Sequence, residues 1–294
     1  MSDILLVDAD IIAFQVAAVS QQSYLFEPEE LPVVAIDPWA EVVPRIHRAI
    51  DKLKDALNTE HVIICLSCPT EENWRLKVLP TYKSNRDYLN RPAHLAGVKN
   101  YLAANYPSYR RPTLEADDIM GILSTMPGLP KSLLAEHPEF TKWTRKIIVS
   151  EDKDMKTIPG WLYNPAKDSK PKLIGDATAD WWHLYQTICG DTTDGYKGCL
   201  GAGPTTAAEI LNDPFICEPY THVFKRGPRK GLEETRWRYR PVAGEETLWD
   251  CVVSLFKRHG HSEEDALAQA RVSRICRFKD YDFNKKEVIL WTPH

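Results

Sequence analysis

The chain has 294 residues, of which 43% are hydrophobic, and a formal net charge of −4 at pH 7. This length and composition predict a globular protein with a substantial core, and the negative charge gives no overall attraction to nucleic acid. The N-terminal segment has no basic leader, and acids interrupt its apolar run, so we expect neither a secretory signal nor a membrane span.

The cysteine pattern agrees with a protein that works inside a cell. Seven cysteines are an odd number, and without an export signal they indicate free thiols in a reducing compartment. Cys65 and Cys68 form one C-x-x-C pair, but no second close pair accompanies them. The pair is therefore weak evidence for a zinc or redox site.

Strands and helices are predicted to alternate from the N-terminus. The segment "DILLVDAD" has a continuous apolar run that ends in acids, which is typical of a buried strand, and a helix is expected to follow. "HVIICLS" predicts a second strand. Between them, a helix is predicted by apolar residues at helical spacing: Val42, Ile46, Ile50, Leu53 and Leu57.

The next elements continue this alternation. Residues 69–92 are polar, basic and aromatic and are poorly suited to a core, whereas "AHLAGVKNYLAANY" and "ADDIMGILSTM" predict helices. "TRKIIVSEDKDM" predicts a third strand that runs directly into Asp152 and Asp154. Alternating strands and helices predict an α/β domain with a mainly parallel sheet.

The sequence changes character from about residue 187. "GDTTDGYKGCLGAGPTTAAEIL" is rich in glycine and threonine, and short helices and a hairpin-like stretch are predicted beyond it. Residues 224–240 hold seven basic residues against two acids, with Phe224, Trp237 and Tyr239 between them. This stretch predicts either a solvent-facing hairpin or a basic surface on an acidic protein.

Acidic residues follow the predicted strands or open a predicted helix. Ligands bind outside the carboxyl ends of the strands in such sheets, so we expect these acids to converge. Together they would need cations, since like charges in one site raise each other's pKa. Oxygen ligands suit Mg²⁺ or Mn²⁺, and two such ions about 4 Å apart support phosphodiester cleavage. The acids are Asp8, Glu115, Asp117, Asp118, Asp152, Asp154, Asp191 and Asp194.

The spacing of these acids allows more than one reading. Any single aspartate is more often a helix cap or turn residue than a ligand. In an extended segment, Asp152 and Asp154 would point to the same side. On a helix, Glu115 and Asp118 would share a face and Asp117 would lie off it. Spacing alone does not separate a nuclease from a phosphatase.

Five segments resemble, in order, the motifs of the flap-endonuclease superfamily of 5′-nucleases, which includes the 5′-nuclease domain of bacterial DNA polymerase I. They are "LLVDAD", "YKSNRD", "LEADDIMG", "VSEDKDM" and "GDTTDGYKGCLGAG". The likeness is greatest to podophage 5′→3′ exonucleases, which also have close counterparts of "DWWHLYQTICGDTTDGYKG" and "ETLWDC". It implies a PIN-like, mainly parallel sheet flanked by helices, with a helical arch and a helix-three-turn-helix C-terminal region.

The resemblance also implies a division of the chain and roles for individual residues. Residues 1–186 would form the catalytic domain, and 187–294 the helix-three-turn-helix region with C-terminal elements packed on it. The first metal ion would be held by Asp8, Glu115 and Asp117, with Asp118 beside them. The second would be held by Asp152, Asp154, Asp191 and Asp194.

Further implied roles concern DNA. In "YKSNRD", Lys83 and Arg86 would contact the scissile phosphate beside the catalytic Asp117, and Tyr82 would stack on a terminal base. The alternative for Lys83 and Arg86 is an ordinary solvated surface. The glycine-rich turn would anchor DNA and hold K⁺, unless it is a simple turn between helices. The expected DNA contacts there and in the basic stretch are Gly201, Gly203, Thr205, Thr206, Arg236 and Arg238.

One position departs from the family pattern. An acid normally follows the second strand and joins the first metal site, but here the strand ends in "CLSCPTEENWR". Cys68 or Thr70 lies where that acid would be, and Glu71 and Glu72 are the nearest acids. Either one of these substitutes for it, or the site has fewer ligands.

The leading hypothesis is a phage 5′→3′ exodeoxyribonuclease that uses Mg²⁺ or Mn²⁺ and releases 5′-mononucleotides from duplex DNA. The resemblance further implies removal of RNA from RNA-DNA hybrids and roles in phage replication and host DNA degradation. We expect it in the cytoplasm of the infected bacterium, with phage replication proteins as partners and no membrane. The alternatives are a structure-selective flap endonuclease, a PIN-type ribonuclease and a non-catalytic DNA-binding accessory protein.

Overall fold

The computed structural model of the chain describes residues 2–24, 33–85 and 91–293. Its contacts divide the chain into two compact units that alternate along the sequence. The first unit comprises Met1–Trp74, Asp87–Ala179 and Ile275–Ile289, and the second comprises Arg75–Arg86, Asp180–Arg274 and Leu290–His294. The functional division into 1–186 and 187–294 stays a prediction. Within the described ranges, no helix is long and apolar enough to cross a membrane.

The elements have the following bounds. The strands are β1 (Ser2–Asp8), β2 (Gln21–Tyr24), β3 (Val33–Ile36), β4 (His61–Leu66), β5 (Ser108–Arg110), β6 (Trp143–Val149), β7 (Gly160–Tyr163), β8 (Lys172–Ile174), β9 (Phe215–Val223), β10 (Glu233–Pro241), β11 (Tyr281–Asp282) and β12 (Glu287–Val288). The α-helices are α1 (Ala9–Ala18), α2 (Trp39–Leu57), α3 (Leu95–Asn105), α4 (Ala116–Thr125), α5 (Lys131–Glu136), α6 (Asp176–Cys189), α7 (Pro204–Asn212), α8 (Leu248–Arg258) and α9 (Glu263–Ser273).

A six-stranded sheet organises the first unit. Its strand order is β5-β4-β1-β6-β7-β8, and every neighbouring pair is parallel except β7 and β8. The central strand β1 has fully buried residues on both faces, from Ile4 to Val7. This two-sided burial is expected for a parallel sheet covered by helices. The predicted α/β fold with a mainly parallel sheet is confirmed.

Helix α2 illustrates how the sequence pattern builds the first unit. Its residues Val42, Ile46, Ile50 and Leu53 recur at helical spacing, and all four are buried. The helix ends at Asn58, whose φ of 49° lies in the left-handed region that commonly terminates helices. The predicted apolar face therefore packs into the core that also includes Leu5 and Val7 of β1.

The second unit combines helices with a long β-ribbon. Its core includes Ile188, Ile210 and Phe256, contributed by three different helices. Strands β9 and β10 pair antiparallel over Phe215–Val223 and Glu233–Pro241, so the hairpin extends beyond the predicted stretch 224–240, which covers only its turn and second strand. Trp249 is only 6% exposed. Its side chain belongs to the core of the second unit.

The stretch 69–92 differs from its prediction as a poor core segment. Five of its polar and aromatic residues are buried because their polar atoms find partners: Asn73, Trp74, Arg75, Tyr82 and Lys83. For example, the Arg75 guanidinium donates to the carbonyl oxygens of Val272 and Arg274 at 2.9 and 2.8 Å. Residues 70–85 contain two short 3₁₀ helices and a turn. The rest of the implied arch, including Arg86, lies outside the described residues.

Candidate functional site

Asp8 lies at the carboxyl end of the central strand of the first unit. It also caps α1, because its Oδ1 accepts the backbone N–H groups of Asp10 and Ile11 at 3.0 and 3.3 Å. Its Oδ2 accepts the Ser150 hydroxyl at 3.2 Å. The side chain is 4% exposed. A nearly buried carboxylate is thus held in one orientation at the edge of the sheet.

The surroundings of Asp8 disfavour its charged form. Burial, followed by the negative charge of Asp10, raises the pKa of Asp8 to about 7. The bonds from Ile11, Asp10 and Ser150 act in the opposite direction but do not offset burial. A nearby cation would favour the carboxylate again, so this position has the electrostatics expected of a metal ligand.

Ser150 connects the ends of the neighbouring parallel strands β1 and β6. Its Oγ donates to Asp8 and accepts the backbone N–H of Asp152 at 3.2 Å. Asp152 in turn caps a 3₁₀ helix, with its Oδ1 accepting the N–H of Asp154 at 2.8 Å. The expected extended segment is therefore wrong, and the argument that these two acids point to the same side does not apply.

The acid cluster that opens α4 has a different geometry from the one predicted. Glu115 precedes the helix in an extended conformation, with φ −80° and ψ 164°, and the helix begins at Ala116. Glu115 is therefore the N-cap and not a helical residue, but it still pairs with Asp118, three positions on, in a capping box. Asp117 lies in the first turn, where negative charge interacts favourably with the helix dipole, and is half-buried.

Asp118 is fully buried and accepts three N–H groups. Its Oδ2 accepts the Trp74 indole at 3.0 Å and the Glu115 backbone at 3.3 Å, and its Oδ1 accepts the Cys276 backbone at 3.0 Å. These contacts fix the start of α4 against two distant segments. The structure gives Asp118 a structural role at the start of α4, and its part in metal binding stays a prediction.

The cysteines after and within β4 do not replace the absent strand-end acid. Burial, then the charges of Glu115 and Asp118, raise the pKa of Cys68 to about 12. The group is therefore a neutral thiol, which is a poor ligand for a hard cation. Burial and the charges of Asp8 and Asp117 raise the pKa of Cys65. The buried Cys65 thiol is therefore close enough to Asp8 and Asp117 for both carboxylates to raise its pKa.

Two residues missed by the sequence analysis connect α1, the end of β4 and α4. The Ser67 hydroxyl, directly after β4, donates to Asp10 Oδ2 at 2.6 Å and accepts the Ala116 backbone N–H at 2.9 Å. Asp10 Oδ1 also lies 2.7 Å from the Lys99 ammonium. The second acid of "LLVDAD" was the available signal for Asp10. Ser67 carried no comparable signal.

The donor chemistry of this sheet edge fits a hard divalent cation. Asp8, Glu115 and Asp117 supply carboxylate oxygens, which Mg²⁺ and Mn²⁺ prefer, and the raised pKa of Asp8 favours a positive neighbour. Within residues 2–24, 33–85 and 91–293, however, no group of three or more His, Cys, Asp or Glu side chains forms a ready-made metal site. The two-ion centre therefore stays a prediction.

In the second unit, Asp194 is held by the segment that carries Lys83. Its Oδ2 accepts the Tyr82 hydroxyl at 2.8 Å and lies 3.6 Å from the Lys83 ammonium. The Lys83 backbone N–H also donates to the Asp194 carbonyl at 2.8 Å, with Lys83 at φ 56°. The buried Lys83 is not the solvated surface residue of the alternative interpretation. Tyr82 is buried against Tyr196 and Val272, and its stacking on a terminal base stays a prediction.

The "GDTTDG" turn shapes this contact. Asp191 Oδ1 accepts the N–H groups of Thr193 and Asp194 at 2.7 and 3.2 Å, which closes the turn. Gly195 has φ 75°, a conformation that glycine adopts at low cost. A Cβ atom there would lie 3.4 Å from the Lys83 nitrogen. The turn thus allows the two backbones to approach closely.

The glycine-rich turn leads into α7 as predicted. Gly203 caps the helix and Pro204 occupies its first turn. Pro204 and Thr205 are exposed, so the helix N-terminus faces solvent. Gly201 has φ 91°, and a Cβ atom there would lie 2.4 Å from the His259 ring. The close approach requires glycine, while the DNA contacts of Gly201, Gly203, Thr205 and Thr206 stay predictions.

Comparison with known proteins gives the family of the chain. It is 40% identical over 233 residues to the exonuclease of Escherichia phage T7, covering 78% of this chain and 74% of that protein. The chain belongs to this family of phage exonucleases. It is also 39% identical over 236 residues to the exodeoxyribonuclease of Enterobacteria phage T3, covering 78% and 73% of the two chains. No family model matches the nuclease.

A solved structure supports the fold of this phage nuclease. The zinc-bound phage T5 5′-exonuclease matches it with a TM-score of 0.53 and 15% identity. The match covers 92% of this chain and 89% of that one. At this identity the likeness concerns the fold alone.

The ribbon arginines of the nuclease are paired with carboxylates. Arg238 Nε donates to Glu218 at 2.7 Å, and Arg236 Nε donates to Glu234 at 3.2 Å. Arg240 forms an ion pair with Glu246. Positive charge along the strands is therefore largely offset, and the DNA contacts of Arg236 and Arg238 stay predictions.

Proposed function

We propose that this phage nuclease is a divalent-metal-dependent 5′→3′ exodeoxyribonuclease that releases 5′-mononucleotides from duplex DNA. The observation that carries the proposal is Asp8, a nearly buried carboxylate at the carboxyl end of β1 whose pKa is raised to about 7. Such a group at the crevice edge of a parallel sheet suits cation binding. The sequence likeness to the T7 and T3 enzymes supports nuclease chemistry.

The proposed ligands fall into two groups. Asp8, Glu115 and Asp117 would hold one Mg²⁺ or Mn²⁺ ion, and a second group of four aspartates would hold the other ion. When bound, such ions activate water and stabilise charge on the phosphate. The T5 5′-exonuclease, whose structure carries divalent zinc, gives a precedent for metal binding in this fold. The second group comprises Asp152, Asp154, Asp191 and Asp194.

Neighbouring hydrogen-bonding groups position the carboxylates that would bind the first metal ion. Ser150 and the N–H groups at the start of α1 orient the Asp8 carboxylate. A cation nearby would remove the proton that Asp8 otherwise retains near neutral pH, because positive charge lowers a carboxyl pKa. Ser67 holds the Ala116 N–H at the start of α4, and so positions the backbone that carries Glu115 and Asp117.

Lys83 is the proposed cationic group for the scissile phosphate. Asp194 holds its ammonium at 3.6 Å, and the Tyr82 hydroxyl orients the same carboxylate. A fixed ammonium stabilises the negative charge that develops on a phosphate during cleavage. Arg86, which lies outside the described residues, is proposed from the sequence as a second phosphate contact.

The proposed DNA contacts of the second unit also involve phosphate groups. The solvent-facing N-terminus of α7 offers backbone N–H groups to a phosphate, with Gly201, Gly203, Thr205 and Thr206 around it. A K⁺ ion bound near these glycines would add positive charge. RNA-DNA hybrids are further proposed substrates. The proposed roles are phage DNA replication, together with phage replication proteins, and host DNA degradation in the cytoplasm of the infected bacterium.

The test is cleavage of a 5′-labelled duplex in the presence of Mg²⁺. We expect wild-type protein to release labelled mononucleotide, and EDTA to abolish the release. Asp117→Ala should remove activity while DNA binding stays measurable. Asp55→Ala, which removes the same charge from the exposed side of α2, is the matched control. Labelled oligonucleotides as the main product would instead identify a flap endonuclease, and activity in EDTA would contradict metal dependence.

A further inference from the structure

The β9–β10 ribbon is anchored at one end only. At its root, Ile216 and Cys217 are buried in the core of the second unit, and the Cys217 N–H donates to the Ser254 hydroxyl of α8 at 2.9 Å. From Pro219 to Thr221, β9 is exposed, and the residues opposite on β10 are exposed or half-buried. Each strand has nine residues, a length of about 30 Å at about 3.3 Å per residue.

The distal half of the ribbon is not explained by core packing. A two-stranded ribbon in water is marginally stable by itself, so its order depends on contacts along its own length. Phe224 supplies several of them: the guanidinium groups of Arg229 and Arg236 lie 4.1 and 5.4 Å from its ring centre, and His222 packs edge-on at 5.1 Å. These contacts stiffen the distal end of the ribbon, far from the core.

The tip of the ribbon is an ordered turn. Gly231 N–H donates to the Phe224 carbonyl at 2.9 Å, and Phe224 N–H donates to the Leu232 carbonyl at 3.1 Å. Gly227 and Gly231 have φ values of 78° and 82°, so both use the conformation open to glycine. The basic side chains of the tip are therefore presented from a defined backbone.

Charge separates the tip from the strands. Arg236, Arg238 and Arg240 on β10 each have a carboxylate partner. Lys225, Arg226 and Lys230 at the tip are exposed, and none of them forms an ion pair with a carboxylate in the part of the chain that the structure describes. We call these three residues the tip cations. On a chain of net charge −4, they are a local concentration of uncompensated positive charge.

We infer that the β9–β10 ribbon is a DNA-binding arm whose tip cations contact backbone phosphates of duplex DNA. The inference rests on the proposed function for its ligand. A row of fixed cations on an ordered turn suits the regularly spaced phosphates of a duplex, and phosphate contacts fix position without reading sequence. The arm strengthens binding but takes no part in cleavage. On this assignment the tip cations, and not the strand residues Arg236 and Arg238, make the main contact with DNA.

The test measures binding separately from cleavage. Affinity of a fluorescein-labelled duplex is measured by anisotropy in EDTA over a range of salt concentrations, for wild type and for Lys225→Ala/Arg226→Ala/Lys230→Ala. Three lost phosphate contacts should make the slope of log affinity against log salt shallower by about 2 to 3. Affinity at about 0.1 M salt should fall about tenfold or more, as the lost contacts dominate at low salt. Circular dichroism should show an unchanged fold.

Two controls isolate the tip. Lys52→Ala/Lys131→Ala/Lys170→Ala removes the same charge from exposed positions outside the ribbon and should change the slope by less than half as much. Lys54→Gln/Glu60→Gln removes an ion pair outside the ribbon without changing net charge and should leave the slope unchanged. In single-turnover cleavage at saturating enzyme, the tip variant should retain the wild-type rate.

The outcomes separate this inference from the proposed function. A wild-type slope in the tip variant would overturn the arm, and would favour an acidic protein as the partner of the ribbon. A slope that falls equally in the tip and Lys52 variants would also overturn it, because the effect would then be one of net charge. Wild-type protein that binds duplex but never cleaves it would refute the proposed function and leave the arm intact.

Discussion

Ser150 donates its hydroxyl to Asp8 at 3.2 Å, so a side chain after β6 orients the carboxylate at the end of β1. The two strands are parallel neighbours, with Val7 opposite Val149, and therefore end at the same edge of the sheet. The bond lowers the pKa of Asp8, yet burial outweighs it and the pKa is raised to about 7. The sheet edge thus holds an oriented carboxyl group whose burial disfavours its charged form.

Asp8→Asn is expected to stabilise the protein in EDTA above pH 7. Between the ordinary carboxyl pKa and about 7, the folded protein binds a proton that the unfolded chain releases, so the free energy of unfolding falls as pH rises. The loss attributable to Asp8 is about 2 to 4 kcal/mol. Asparagine caps helices as well as aspartate does and removes this term. Urea denaturation from pH 4.5 to 8 measures the difference.

The control for this measurement is Asp55→Asn, which changes an exposed acid and should retain the wild-type pH dependence. Mg²⁺ should stabilise the wild type more than Asp8→Asn, since the variant lacks the proposed ligand. An Asp8→Asn protein with the same pH slope as wild type would show that Asp8 does not titrate abnormally.

Asp117 and Asp118 are adjacent but should respond differently to substitution. Asp118→Ala leaves the N–H groups of Trp74, Glu115 and Cys276 without this acceptor and should cost at least about 2 kcal/mol of unfolding free energy. Asp117→Ala should change stability by less than about 1 kcal/mol and abolish cleavage. Denaturation and single-turnover cleavage, run on both variants, separate the roles. Equal destabilisation would contradict the assignment of Asp118.

The parts of the fold that local patterns determine were predictable. The apolar run from Ile4 to Val7 required burial on both faces, and the helical spacing of Val42, Ile46 and Ile50 required one buried stripe. Acids directly after such strands necessarily reach the carboxyl edge of the sheet. Local sequence therefore located Asp8 at that edge.

The roles of individual acids depended on partners that local sequence does not reveal. The Cys276 N–H that Asp118 accepts is 158 positions away along the chain. Tyr82 is an aromatic residue in a polar segment of the sequence. Its hydroxyl can be buried because it donates to Asp194, 112 positions away along the chain. Ser67 resembles any serine after a strand. Side-chain burial and hydrogen bonding in these cases follow from tertiary contacts.

Ser67→Ala should slow cleavage by disturbing the start of α4. The substitution removes the acceptor of the Ala116 N–H and the donor to Asp10, at an expected cost of about 1 to 2 kcal/mol in stability. We expect kcat to fall severalfold with little change in KM, because the hydroxyl positions acids and does not touch DNA. Ser67→Thr retains a hydroxyl and should restore most of the rate. Failure of threonine to rescue, with the fold intact, would contradict this positioning role.

Lys83 combines a strained backbone with a buried charge, and two substitutions separate these properties. Its φ of 56° is unfavourable for alanine but not for glycine, whereas both replacements remove the ion pair with Asp194. Lys83→Gly should therefore be more stable than Lys83→Ala by about 1 kcal/mol. Both should lose cleavage at least about 100-fold, because neither stabilises charge on the phosphate. Denaturation and single-turnover rates test the pair: equal stability would show that the backbone carries no strain, and retained cleavage would remove Lys83 from the proposed mechanism.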